Sequence, residues 1–198
     1  MAIKPILFNT KMVRAILDGR KDATRRIVKG FIPDDAVWGY TAFTPKGYIS
    51  CRGTFADEYG EKFFKLPCES GDILYVRETW KKAPNGYYYY EDWQRNDIAD
   101  VTKWKPSIHM PKEAARIWLK VTNVRVERLQ KIAPQGAWKE GARCSCLHPV
   151  PDCAGNKTAF VNIWNSTIKK SDIDRYGWDA NSYVWVIEFE RCEKPEGV

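Results

Sequence analysis

The sequence Gly19-Arg20-Lys21-Asp22-Ala23-Thr24-Arg25-Arg26 places a lysine, a threonine and three arginines within eight residues. A threonine hydroxyl is a weak nucleophile unless a nearby base takes its proton. Lys21 can act as that base only when it is neutral, and both the neighbouring arginines and burial disfavour its charged form. A chemical site built on Lys21 and Thr24 is therefore one interpretation of this stretch. The other is a solvated basic turn, which is what most such runs are.

The residues before this stretch predict a strand followed by a short helix. Ile3 to Phe8 reads as a first strand, and Asn9 or Thr10 can cap a helix with an apolar face. Gly19 then supplies the left-handed residue that commonly ends a helix. In a continuing strand, Lys21 and Thr24 would point to opposite faces. A shared site therefore requires a bend between them.

Further along the chain, three segments have strong strand character and two have helical character. The strands are predicted at residues 73–80, 116–122 and 183–189, and the helices at 134–141 and from Thr158 onward. Because strands dominate without a regular alternation of strand and helix, we expect an α+β fold. Its predicted core is a small mixed β-barrel with short helices capping its openings. The 198 residues fit a single domain, 1–198, with insertions at about 30–66, 81–107 and 142–157.

The composition restricts the cellular setting and the partners. No apolar run approaches the ~20 residues of a membrane span, and the start has no long apolar stretch of signal-peptide type. We therefore expect a cytoplasmic protein without a membrane partner. The net charge of +7, from 32 Lys and Arg against 25 Asp and Glu, favours an anionic partner such as nucleic acid. Ordinary solubility charge explains it equally well.

The cysteines predict a metal site. Six cysteines in a cytosolic chain argue against a disulfide framework. Four potential ligands stand close together, namely Cys144, Cys146, His148 and Cys153, and zinc takes four such nitrogen or sulfur ligands. Cys51 or Cys68 can complete the set if His148 does not. A structural zinc ion is therefore one interpretation, and a loop of reduced thiols is the other.

Several motifs, taken in order along the chain, resemble the ASCH family, whose fold is a PUA-like β-barrel. The first is the G-x-K-x(4)-R pattern of Gly19, Lys21 and Arg26. The others are the segments 71–80, 125–129, 137–141 and 178–189. The combination looks like the larger ASCH-type proteins carried by tailed phages and prophages. The resemblance is weakest at 30–66, 81–107 and 142–157.

This resemblance implies a role with RNA or a modified nucleoside. ASCH domains are generally regarded as RNA-binding, and a small bacterial subset removes the acyl group from N4-acetylcytidine with a lysine, a threonine and a glutamate. By motif position these catalytic residues correspond to Lys21, Thr24 and Glu140. The chain departs from that subset in its length, about twice as great, and in Arg25, where an aliphatic residue is often found.

Two functions follow from these observations. In the first, Thr24 attacks the acyl carbonyl, Lys21 takes its proton and Glu140 helps to protonate the leaving amine. No cofactor is required for this chemistry. In the second, the chain is a non-catalytic module that binds RNA or a modified base of a phage or prophage. Candidate substrate- or nucleic-acid-binding residues for both are Arg20, Arg25, Arg26, Arg77 and Trp80.

Overall fold

The computed structural model describes residues 1–96 and 102–197, and these fold into a mixed α+β structure, as predicted. The elements in chain order are β1 (Ile3–Leu7), α1 (Thr10–Leu17), β2 (Ala23–Ile27), β3 (Val37–Gly39), β4 (Tyr48–Phe55), β5 (Glu58–Lys65), β6 (Ile73–Arg77), β7 (Trp80–Ala83), β8 (Gly86–Tyr89), α2 (Tyr90–Arg95), β9 (Trp118–Arg128), α3 (Pro134–Lys139), α4 (Gly155–Thr167), α5 (Ile173–Tyr176) and β10 (Tyr183–Cys192). None of the helices described is long and apolar enough to cross a membrane.

The central sheet has five strands in the order β1-β6-β9-β10-β2. The pair β1–β6 is parallel, and the pairs β6–β9, β9–β10 and β10–β2 are antiparallel. The predicted barrel is not closed, because β1 and β2 are the two edges of this sheet. The two edges are joined by a side chain, since Arg26 Nη2 donates a hydrogen bond to the Leu7 carbonyl at 2.6 Å.

Both faces of the sheet are buried. On one face Leu74 and Val76 pack with Leu119 and with α1, while on the other face Ile73 and Tyr75 pack in a separate cluster. Strand β10 is apolar on both faces because Val184 and Val186 face α3 and α4, whereas Ile187 faces α1. Helices therefore cover both sides of the strand that pairs with β2.

The ends of the helices show why the chain turns where it does. Asn9 Oδ1 accepts a hydrogen bond from Met12 N at 2.9 Å and caps α1, as predicted. Gly19 adopts φ +68° directly after α1, a conformation that glycine tolerates best. Helix α4 begins at Gly155, three residues earlier than the apolar spacing predicted.

The predicted insertions carry elements of their own. Strands β3, β4 and β5 form a three-stranded sheet within residues 30–66, and β7 and β8 form a hairpin that leads into α2. The second insertion, 81–107, includes residues 97–101, which lie outside the described part of the chain. The division into one domain with insertions stays a prediction.

Candidate functional site

The residues just before β2 pair with a distant segment, and this pairing brings Glu140 to Lys21. Strand β2 starts only at Ala23, while Lys21 forms an isolated antiparallel bridge with Glu140 and Asp22 N donates to the Lys139 carbonyl at 3.0 Å. The carbonyl of Asp22 still pairs with β10, because it accepts a hydrogen bond from Phe189 N at 2.8 Å. Backbone hydrogen bonds of Asp22 therefore connect β10 to the segment that carries Glu140.

Glu140 is the centre of a buried charge cluster. Lys21 Nζ donates to Glu140 Oε2 at 2.6 Å and to the Glu140 carbonyl at 3.1 Å, and Arg25 Nη1 donates to Oε1 at 3.1 Å. The Lys21 side chain is fully buried, and that of Glu140 is 6% exposed. Arg25 also reaches Glu127 Oε2 at 3.4 Å. Each carboxylate oxygen of Glu140 therefore has a cationic partner.

Burial changes the proton affinity of the cations at this site. Removal from water lowers the pKa of the Lys21 ammonium, and the charges of Arg26 and Arg25 lower it further, while the contacts with Glu140 oppose the shift. Burial also lowers the pKa of Arg26. The neutral amine of Lys21, which a general base requires, is therefore easier to reach than in an exposed lysine.

Thr24 and Glu140 line the same cavity, which has a volume of about 190 Å³. Thr24 lies on β2 and is 2% exposed. Its hydroxyl makes no hydrogen bond within residues 1–96 and 102–197, and Lys21 does not reach it. Lys21 lies behind Glu140 and is not part of the cavity wall. The rest of the wall includes Arg25, Arg26, Phe160, Ile163, Trp164 and Thr167.

The other predicted contact residues lie at different distances from this cavity. Arg20 is half-buried, pairs with Asp18 at 3.0 Å and lines an adjoining cavity of about 490 Å³ that also includes Glu140. Arg77 lines a third cavity, of about 300 Å³, together with Arg26. Trp80 is 4% exposed and packs in the cluster on the opposite face of the sheet, so it lines none of the three.

Sequence reasoning missed the contribution of α4 to the cavity. The spacing of Phe160, Ile163 and Trp164 predicted a helix with one apolar face, but not the strand that this face would approach. In the structure Phe160 and Trp164 are buried, and Ile163 remains 37% exposed beside the cavity. No local signal in the sequence marks this position, because single exposed apolar residues are ordinary on protein surfaces.

The cysteine cluster brings together three of the four predicted ligands. The Sγ atoms of Cys144, Cys146 and Cys153 all lie within 4.8 Å of one another, and the sulfurs of Cys144 and Cys146 are within disulfide distance. This cluster could hold a metal ion. His148 is exposed and is not a member of it.

The alternative ligands Cys51 and Cys68 lie outside the cluster. Both thiols are buried in other parts of the structure. Burial raises the pKa of Cys51 to about 11 and that of Cys68 to about 12. The protonated forms thus favoured are poor metal ligands, because the thiolate is the form that binds metals.

Comparison with known proteins gives one distant structural likeness. No protein-family model matches the chain, and no curated protein matches it. Among solved structures, an ASCH domain from Lactobacillus crispatus JV V101 is similar over 96% of this chain and 79% of its own, with a TM-score of 0.42 and 12% identity. At this distance the likeness assigns neither a family nor an activity to the chain.

Proposed function

We propose that this protein is an amidohydrolase that removes the acyl group from an N4-acylated cytidine. The observation that supports this most is that Thr24 and Glu140 line one cavity while Glu140 binds Lys21 Nζ at 2.6 Å. The similarity of Lys21, Thr24 and Glu140 to the catalytic residues of the ASCH amidohydrolases supports the choice of substrate class.

The reaction in this proposal has two steps. Thr24 Oγ1 attacks the acyl carbon, and its hydroxyl proton passes through the Glu140 carboxylate to the neutral amine of Lys21, which does not reach the hydroxyl itself. The C–N bond then breaks, the cytidine N4 leaves with a proton supplied through Glu140, and a threonine ester remains. Water hydrolyses this ester to a carboxylic acid and free threonine. Side chains alone carry out these steps, so an ion at the cysteine cluster would be structural.

The charges around the cavity suit the intermediate of this reaction. The attack places negative charge on the former carbonyl oxygen, and fixed cationic donors stabilise such an oxyanion. Arg25 and Arg26 both line the cavity. Arg25 Nε is buried without a hydrogen-bond partner among the described residues.

The size of the cavity indicates which part of the substrate it would hold. Its volume of about 190 Å³ is below the roughly 300–1,000 Å³ typical of pockets for drug-sized ligands. A cavity of this size suits an acylated base better than a whole nucleoside. The ribose would then extend into one of the two adjoining cavities. The cavity of about 300 Å³ shares Leu7 and Arg26 with the first, and the cavity of about 490 Å³ shares Glu140 and Ile163 with it.

The dependence of the rate on pH tests the role of Lys21. Hydrolysis by a neutral lysine rises with pH until the amine is fully deprotonated. Since burial lowers the pKa of Lys21, we expect the midpoint of this rise well below the ordinary value of about 10.4. The measurement is the initial rate of cytidine formation between neutral and alkaline pH. A rate that falls over this range would contradict the assignment of Lys21 as the base.

The second candidate function is binding of RNA without chemistry. It is favoured by the basic side chains around the three adjoining cavities, which include Lys4, Lys11, Arg14, Arg20, Arg26 and Arg77. A polynucleotide lying across them would release counterions on binding, and its affinity would fall as salt rises.

A charge reversal at Arg77 tests this second function. Arg77→Glu is expected to weaken the binding of single-stranded RNA several-fold at low salt. The slope of log affinity against log salt concentration should also become shallower, by the amount that roughly one phosphate contact contributes. The matched control is Lys65→Glu, an exposed residue of β5 that lines none of the three cavities. Fluorescence anisotropy with labelled RNA measures both. If the two variants weaken binding equally, or if the affinity does not change with salt, RNA does not bind across these three cavities.

A further inference from the structure

We propose that Cys144, Cys146 and Cys153 bind a zinc ion, and that this ion fixes the first turn of α4 and thereby one wall of the cavity at Thr24. The proposal does not depend on whether the cavity hydrolyses or only binds its ligand.

One pair of sulfur atoms in the cluster has the spacing of a tetrahedral zinc site. Zinc–sulfur bonds of about 2.3 Å at tetrahedral angles place two sulfur ligands about 3.8 Å apart. Cys146 Sγ and Cys153 Sγ are 3.7 Å apart, and all three sulfurs lie within 4.8 Å of one another. Soft thiolate ligands select zinc over calcium or magnesium. In the structure Cys144 and Cys146 are joined by a disulfide and Cys153 is free, so zinc binding requires that this pair be reduced and its sulfurs move apart.

The backbone around the cluster is packed closely enough to hold these positions. A Cβ atom at Gly155 would lie 2.7 Å from Cys144 Cβ and 3.6 Å from Cys153 Sγ. Contacts below 3.0 Å are essentially never made by real Cβ atoms, so this close approach of α4 to the thiols requires glycine. The first residue of the helix therefore packs directly on the cluster.

A fully buried asparagine orders the loop between the cysteines. Asn156 Oδ1 accepts a hydrogen bond from Cys144 N at 2.9 Å, and its Nδ2 donates to the carbonyls of Val150 and Pro151 at 2.8 and 3.1 Å. One side chain thus ties the segment after Cys144 to the segment before Cys153. Both ends of the loop are held beside the same helix.

The fourth ligand position has two candidate occupants. His148 follows Cys146 by two residues and is exposed, so its imidazole is free to turn toward the ion. A water molecule is the other occupant. Structural zinc sites usually have four protein ligands. A His148→Ala variant distinguishes the two, because it should lower zinc affinity if the histidine is a ligand and leave it unchanged if water occupies the position.

The loop connects the cluster to the cavity at both ends. Residues 141–154 join Glu140, in the charge cluster, to α4, which supplies Phe160, Ile163 and Trp164 to the cavity wall. The first turn of α4 has no side-chain cap and no acidic residue. Its positive dipole end faces the thiols, where negative charge is favoured. Zinc-bound thiolates would supply that charge and anchor the turn.

Zinc content is the first test. Protein purified without chelator under reducing conditions should carry near-stoichiometric zinc, and Cys153→Ser should lose most of it. Cys192→Ser is the matched control, because Cys192 is a partly exposed free thiol outside the cluster, and it should keep its zinc. A wild type without zinc, a Cys144–Cys146 disulfide in its place, or equal zinc content in both variants would overturn the proposal.

Hydrogen exchange of the wild type tests the link to the cavity. Removal of zinc by a chelator should increase exchange in the first turns of α4 while β9 and β10 stay protected, since the ion anchors one helix end and not the sheet. This measurement needs no substitution, so it stands even if the cysteine variants fold poorly. Unchanged exchange in α4, or an equal increase in β10, would contradict a local anchoring role.

Discussion

Thr24→Ala is expected to abolish the hydrolysis of N4-acetylcytidine, with a loss of at least about 1,000-fold in the rate of cytidine formation. The substitution removes the only atom that the proposed reaction uses to attack the acyl carbon. The Thr24 hydroxyl makes no hydrogen bond within the described residues, so its loss leaves no buried group without a partner. The variant should therefore keep its fold, and chromatography of the products measures its rate.

Thr24→Ser is the matched control for this result, because it keeps the hydroxyl and removes only a methyl group. It should retain a large part of the activity. A Thr24→Ala variant that still forms cytidine at a rate close to that of the wild type would rule out threonine as the nucleophile. Loss of activity in both variants would point to the packing of Thr24 instead of its hydroxyl.

Glu140→Ala is expected to destabilise the fold strongly. It leaves the fully buried Lys21 ammonium without its carboxylate and removes one partner of Arg25, whose side chain is 3% exposed. Loss of one partner from a buried ion pair costs about 3–5 kcal/mol. The free energy of unfolding, obtained from urea titration, measures this loss.

The control for the stability result is Glu127→Ala. Glu127 reaches the same Arg25, but at 3.4 Å and with 24% of its side chain exposed. Its other partner, Arg125 at 2.6 Å, has a side chain that is 38% exposed. Because solvent-exposed pairs contribute only about 0–1 kcal/mol and Glu127 is closer to that case than Glu140 is, the control should lose less. Equal losses in the two variants would show that the Glu140 cluster does not support the fold. Glu140→Gln, which keeps the shape and one acceptor, is the better variant for activity measurements.

Local patterns predicted most of the sheet. The strands predicted at 73–80, 116–122 and 183–189 overlap β6, β9 and β10. Pro134 and Gly141 bracketed the short helix α3, which ends just before Glu140. These predictions succeeded because each depends on a few neighbouring residues, whose spacing and backbone preferences are visible in the sequence.

The arrangement of the site depends on contacts between distant residues, which such patterns do not contain. The surroundings of Lys21 arise because it pairs, just before β2, with Glu140, 119 residues away. Arg25, predicted as a substrate contact, lines the cavity and is also bound to Glu140, and no pattern in the sequence indicates that second contact. The cavity wall from α4 and the open sheet edge likewise follow from tertiary packing, which no local spacing encodes.

The most direct test of the proposed function is the amount of cytidine that the wild-type protein releases from N4-acetylcytidine, measured by chromatography beside Thr24→Ala. The proposal predicts many turnovers per chain for the wild type and none above the uncatalysed background for the variant. If the folded wild type forms no cytidine from this or any other acylated cytidine, the chain is not this amidohydrolase, and RNA binding becomes the better account of its basic cavities.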